Sequence, residues 1–195
     1  MYLHAPEFRC YVSDDGIIYW DQIERLSSEP RTPLPQQQQH QQQGGSILSV
    51  PPEGGDASGW KPVLIIVPLR LGLDALNEIY YHSICETFEY PQSVGILGGK
   101  PRASYYFIGH QEEHLLYLDP HTIQPAVCME QVPFDHKSYH CDVLRKLHLS
   151  EMDPSMALGF FCKTRHDLQD LFERAQRVCR ERVHCRHANH SIECC

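Results

Sequence analysis

The chain is short of positive charge: 17 lysines and arginines face 25 aspartates and glutamates, a net charge of −8 over 195 residues. A nucleic-acid binder carries a basic stripe, and an anionic membrane surface selects the same feature, so neither is expected as the main partner. Long apolar runs are also missing. The longest, Val63 to Leu69, contains Pro68 and is far too short to span a bilayer. Residues Met1 to Glu7 hold neither a basic start nor an apolar stretch, so no secretory signal is expected. Nine cysteines follow no regular spacing, and without a signal they are expected as reduced thiols in the cytoplasm. The glycine-rich stretch ending at Lys100 lacks the G-x-x-x-x-G-K-[ST] spacing of a phosphate loop, and no serine sits in a G-x-S-x-G elbow.

What is present reads as one domain with an interruption. Residues 1–28 carry a strand (Phe8 to Val12), a turn at Asp14-Asp15-Gly16, and Ile17, Ile18, Ile23 and Leu26 on one face of a short helix. Residues 29–59 are rich in proline, glutamine and glycine. They cannot bury enough apolar surface to offset their chain entropy, so a disordered insertion is expected. Apolar elements resume over 60–178. Val63 to Val67 has the continuous apolar character of a strand buried on both faces. Spacings of three and four predict a helix over Asp74 to Phe88, followed by a loop from Pro91 to Pro101. Ala103 to Ile108 and His114 to Leu118 predict a hairpin, Ser138 to Cys141 a short strand, and Ala157 to Cys162 a buried strand. A helix is expected from Thr164, with Asp167 three residues on as a capping partner and Leu168, Leu171, Phe172, Ala175 and Val178 as its apolar face. Residues 179–195 form a Cys/His-rich tail, expected to be solvated and frayed.

Asp119-Pro120-His121 stands at the end of an apolar strand. Residues i and i+2 of an extended segment share a face, so a carboxylate and an imidazole are expected side by side. Such a pair is two thirds of a nucleophilic triad, in which the carboxylate fixes the tautomer of an imidazole that takes the nucleophile's proton. A turn with a surface histidine is the plainer alternative. Gly98-Gly99-Lys100-Pro101 reads either as a flexible connection or as a loop that moves over a cleft. The tail residues Cys179, His184, Cys185, His187, His190, Cys194 and Cys195 are potential zinc ligands, but their spacing matches no common finger, so no metal is expected. No good nucleophile is visible. Cys162 lies in an apolar run, Cys85 lies in the predicted helix, and Cys128 and Cys141 have neutral surroundings. None opens a helix after a polar or glycine-rich turn, where a thiolate is favoured.

Several motifs recur in a fixed order: Trp60-Lys61-Pro62, Val67-Pro68-Leu69-Arg70-Leu71-Gly72-Leu73, Pro91-Gln92-Ser93, Gly98-Gly99-Lys100-Pro101, Tyr106-Phe107-Ile108-Gly109, Leu118-Asp119-Pro120-His121-Thr122, and the stretch Asp153 to Cys162. From about Trp60 to Val178 the chain resembles the autophagins, the cysteine proteases of autophagy. The resemblance implies an α+β, papain-like fold and a Cys-His-Asp triad, with His121 as base and Asp119 as its orienter. It implies a cleft-covering role for Gly98, Gly99, Lys100 and Pro101, and no cofactor. The implied partner is a small ubiquitin-like autophagy modifier, cut after its near-terminal glycine and later released from phosphatidylethanolamine. The Gly-Trp-Gly-Cys segment that carries the family's nucleophile is absent from this sequence. The chain is therefore expected to be the C-terminal part of such a protease, inactive alone. Two other functions compete: a non-catalytic module that binds the modifier, and a zinc-binding protein built on the tail.

Overall fold

The structure, a computed structural model, describes residues 8–28, 59–128, 135–181 and 191–193. In chain order these form β1 (Arg9–Val12), β2 (Ile17–Tyr19), α1 (Trp20–Ser28), β3 (Val63–Arg70), α2 (Tyr81–Phe88), β4 (Ser93–Lys100), β5 (Ala103–Gln111), β6 (His114–Leu118), β7 (Arg145–His148), β8 (Ser155–Cys162), α3 (Arg165–Glu181) and β9 (Ser191–Glu193). All of the expected insertion at 29–59 except Gly59, and most of the Cys/His tail, lie outside the described residues.

Seven strands make one sheet in the order β1-β3-β8-β4-β5-β6-β7, while β2 and β9 pair separately. The β1–β3 contact is parallel and every other pairing is antiparallel. The register places Ile65 opposite Phe160, Ile96 opposite Leu158 and Phe107, and Leu115 opposite Leu147. All of these side chains are at most 5 % exposed. They form one cluster with Ile23 of α1, Ile84 of α2 and Leu168, Leu171 and Phe172 of α3. Trp20 meets Phe172 edge-on with ring centroids 5.2 Å apart, and Tyr90 stacks on Phe160 at 6.2 Å. All three helices therefore pack on one face of the sheet. Each large apolar side chain removed from water there contributes about 1.5–3 kcal/mol.

The architecture is α+β, as expected. The strands at Val63, Ala103, His114 and Ala157 form where the pattern places them. The α3 start is a reciprocal capping box: the Asp167 amide donates to Thr164 Oγ1 (3.1 Å), and the Thr164 amide donates to an Asp167 carboxylate oxygen (3.0 Å).

Five local expectations need correction. Ile17 and Ile18 belong to strand β2, and α1 begins only at Trp20, consistent with the preference of β-branched residues for strands. The helix expected from Asp74 shrinks to a 3-10 turn at Glu78–Tyr80 and α2. The Asn77 side chain accepts the Ile79 amide at 3.1 Å and caps the turn, which leaves Ile79 exposed. The loop expected over Pro91 to Pro101 is mostly strand β4. Ser138 to Cys141 is not a strand but overlaps a 3-10 turn, Lys137–Tyr139. The strand of this region is β7, whose Arg-Lys-Leu-His sequence is too polar to signal one. Three residues of the tail expected to fray form β9 against β2.

Candidate active site

Strand β6 ends at Leu118, and the chain turns at Pro120-His121. The Asp119–His121 pair forms as expected, but by a different device. It is not the pleat of an extended strand that brings the groups together. Asp119 Oδ1 accepts the backbone amide of His121 at 3.0 Å and contacts His121 Nδ1 at 2.7 Å. One carboxylate oxygen thus closes the turn and orients the ring. The other oxygen, Oδ2, faces Arg145 Nη1 of β7 at 3.8 Å. The hydrogen bond from the His121 side chain, then that from its backbone, hold the Asp119 carboxyl below its ordinary range. Arg145 acts in the same direction as a smaller cause. An ionised Asp119 requires Nδ1 to carry the ring proton, which leaves Nε2 as the acceptor.

An aromatic stack supports the ring. Tyr117 of β6 lies on Tyr105 of β5 with centroids 4.3 Å apart, and His121 meets Tyr105 edge-on at 6.1 Å. Beside Asp119 opens a cavity of about 830 Å³, lined among others by Tyr106, Leu118, Thr122, Tyr139 and Arg145. Neither Tyr105 nor Arg145 was singled out from sequence. Tyr105 was legible as the i−2 neighbour of Phe107 on one strand face. Arg145 had no signal, because the strand that carries it was not predicted.

Gly98, Gly99 and Lys100 are the end of β4, and Pro101-Arg102 is the turn into β5. The glycines answer to crowding. A Cβ on Gly99 would stand 1.9 Å from the Ala103 carbonyl oxygen, and one on Gly98 would stand 3.2 Å from Met152 Cε. The left-handed position of the turn is Arg102 (φ 71°). Asp153 donates its amide to the Gly99 carbonyl at 2.8 Å, and Lys100 Nζ pairs with Glu151 Oε2 at 2.8 Å. The segment borders the candidate site, since Gly98 is the cross-strand partner of Tyr105.

Among the described thiols, Cys141 lines the cavity beside Asp119. Cys162 is buried at the end of β8, and burial, followed by Asp167 and Asp170, pushes it up to about 12. Burial also raises Cys85, with Glu113, Glu86 and Glu89 adding to the effect. Its thiol donates to the Glu112 carbonyl at 3.7 Å. Cys141 donates to the Val143 carbonyl at 3.6 Å, and Cys10 and Cys128 are exposed. Among the described residues no thiol hydrogen-bonds His121. Also among them, no cluster of three His, Cys, Asp or Glu side chains is arranged to hold a metal ion, and no helix is long and apolar enough to cross a membrane.

Comparison with known proteins converges on one family. The Peptidase C54 catalytic domain matches residues 2–174. A stretch of 126 residues is 49 % identical to the cysteine protease ATG4a of Arabidopsis thaliana, covering 64 % of this chain and 27 % of that protein. The cysteine protease ATG4A of Oryza sativa subsp. indica is 48 % identical over 123 residues, 62 % of this chain and 26 % of its own length. For the cysteine protease ATG4 of Medicago truncatula the identity is 46 % over 125 residues, 63 % of this chain and 26 % of that protein. The chain thus spans about a quarter of the length of the curated relatives it matches. The mixed sheet with its helices fits an α+β, papain-like fold. With a carboxylate–imidazole pair at the end of β6 and a family match over most of its length, this protein belongs to the Peptidase C54 cysteine proteases, the autophagins.

Proposed function

We propose that residues 60–178 carry the base and orienter of a thiol-protease site that acts on a ubiquitin-like autophagy modifier. The observation that carries this reading is the 2.7 Å contact between His121 Nδ1 and Asp119 Oδ1. In the reaction a thiol passes its proton to His121 Nε2, and the resulting thiolate attacks the carbonyl carbon of the modifier's near-terminal glycine. Asp119 stabilises the imidazolium, which then protonates the departing amine. His121 next draws a proton from water, whose oxygen opens the thioester and restores the thiol. The same steps release the modifier from phosphatidylethanolamine, because that linkage is also an amide of the glycine carboxyl and only the amine differs. The thiol itself comes from outside the described residues. The protein works from the cytoplasm and meets lipid-bound substrate only transiently. The Gly98–Pro101 hairpin end, one strand away from His121, is the element that opens for the substrate tail, a motion that must break the Lys100–Glu151 pair.

A graft tests the reading. The matched 126 residues of Arabidopsis ATG4a are replaced by the corresponding stretch of this chain. The graft should cleave a modifier precursor, and His121→Ala should lower kcat about 10³-fold, the usual weight of a positioned base. A folded graft that cleaves equally well with His121→Ala removes the proposed base. One observation favours a second reading, a binding module without catalysis: no described thiol engages His121. Capture of precursor by this chain, together with a folded but inactive graft, would select that reading.

A further inference from the structure

Asp119 divides its work between two oxygens. Oδ1 takes both contacts with His121, and Oδ2 is left to Arg145 Nη1 at 3.8 Å. Among the described residues this is the only ion pair that Arg145 makes, although Asp142 stands three positions before it. The sheet fixes the choice. Arg145 opens β7 opposite Tyr117 of β6, two residues before Asp119, and Leu147 of β7 pairs with Leu115. Leu147 and Leu115 are at most 2 % exposed, so burial anchors β7 two positions beyond Arg145, on the strand face that both share. The guanidinium is thereby carried to the carboxylate oxygen that the imidazole does not use.

What Arg145 supplies there is charge. At 3.8 Å the contact is longer than a hydrogen bond. Arg145 is also the only lysine or arginine among the described residues that line the cavity beside Asp119. The other titratable groups on that cavity are Tyr106 of β5 and Tyr139, His140, Cys141 and Asp142 before β7, none of them a permanent cation. The His121 hydrogen bonds are the larger causes of the lowered Asp119 carboxyl, and Arg145 is the cause that lies outside the acid–base pair. That separation gives the arginine its own task. Once His121 has taken a proton from the thiol, the ring needs an anion at Nδ1 to stabilise the imidazolium. A cation beside Oδ2 favours the ionised carboxylate. It also keeps Oδ1 turned to the ring, because the terminal torsion of an aspartate is broad and two-fold.

We infer that Arg145 is a positioning residue of the protease site, holding Asp119 through its charge as the orienting anion of His121. The inference rests on the thiol-protease reading above and adds a fourth group to it. Arg145 acts through Asp119 and not on the reacting atoms.

Two readouts keep the inference and that reading apart. The first is the carbon-13 NMR titration of the Asp119 carboxyl in the full 195-residue chain, which needs neither substrate nor an activated thiol. Arg145→Gln removes the charge, so the Asp119 midpoint should move upward, while Arg145→Lys should hold it near its native position. The second is precursor cleavage by the graft described above. There Arg145→Gln should lower kcat about fivefold with KM unchanged, the reach of one partly exposed ion pair, and Arg145→Lys should restore most of the loss. The difference should shrink in about 1 M salt, where screening acts within about 3 Å. Arg145→Met replaces Arg145→Gln if that variant fails to fold. An unmoved Asp119 midpoint in Arg145→Gln overturns the inference. So does a loss of kcat that Arg145→Lys leaves in place, since packing and not charge would then be at work. A graft that needs His121 but ignores Arg145→Gln overturns the inference and leaves the proposed function standing. A folded graft that ignores His121→Ala removes both.

Discussion

On one side of β5, Phe107 packs between Tyr105 and Tyr117 with no exposed surface, while on the other side of the same strand Tyr106 and Ile108 stand open. The residue types hardly differ. The difference lies in what has been laid against each side: α1, α2 and α3 on the first, and no described α-helix on the second. Burial in this molecule therefore reports layering, and side-chain hydrophobicity alone does not separate the two faces. The candidate site sits at the rim of the covered face, held by Tyr105, so its geometry depends on the finished half of the packing.

The contrast can be broken most directly by truncation. Phe107→Ala should cost about 3–5 kcal/mol of unfolding free energy in urea, since it empties a fully enclosed position. Leu97→Ala, on the open face, should stay within about 0.5 kcal/mol. Equal costs would mean that the two faces are equally covered in solution. Thiol chemistry sharpens the same contrast. Cys10 should react with iodoacetamide in the native protein, while Cys162, buried and raised to about 12, should react only as fast as the fold opens. Similar native rates would show that β8 is not enclosed.

The smallest effect concerns acid. Asp119 is lowered in the folded state, so its stabilising contribution is complete above its unfolded carboxylate value and disappears as pH falls through the lower folded one. Asp119→Asn should flatten the acid limb of a stability–pH curve, and the pair is exposed enough that the change will be slight. An unchanged limb would remove the linkage between the carboxylate and the imidazole.

These differences also explain what the amino-acid order disclosed. Runs such as Val63 to Val67 and Ala157 to Cys162 announce strands because both of their faces are apolar. Thr164 and Asp167 announce a helix start because a capping box is contained in four residues. The Asp119–His121 pair was legible for the same reason, its members being two positions apart. Failures arose where tertiary contact overrides local preference. Gly98-Gly99-Lys100 looks like a loop in isolation, and it is a strand because it pairs with Tyr105, Ser104 and Ala103 of β5. Arg145 became visible only when β7 joined the edge of the sheet beside β6. A resemblance to a family supplied the role of His121, which spacing alone left open.

The Asp119 turn has a kinetic consequence. Its two hydrogen bonds join residues separated by a single proline, so closing that loop costs almost no chain entropy and does not wait for distant strands to meet. In contact-order terms the acid–base unit belongs among the earliest native interactions available to this polypeptide, whereas β3–β8 pairing spans nearly a hundred residues. A nascent chain emerging from the ribosome can thus hold a poised imidazole well before the sheet that will display it exists.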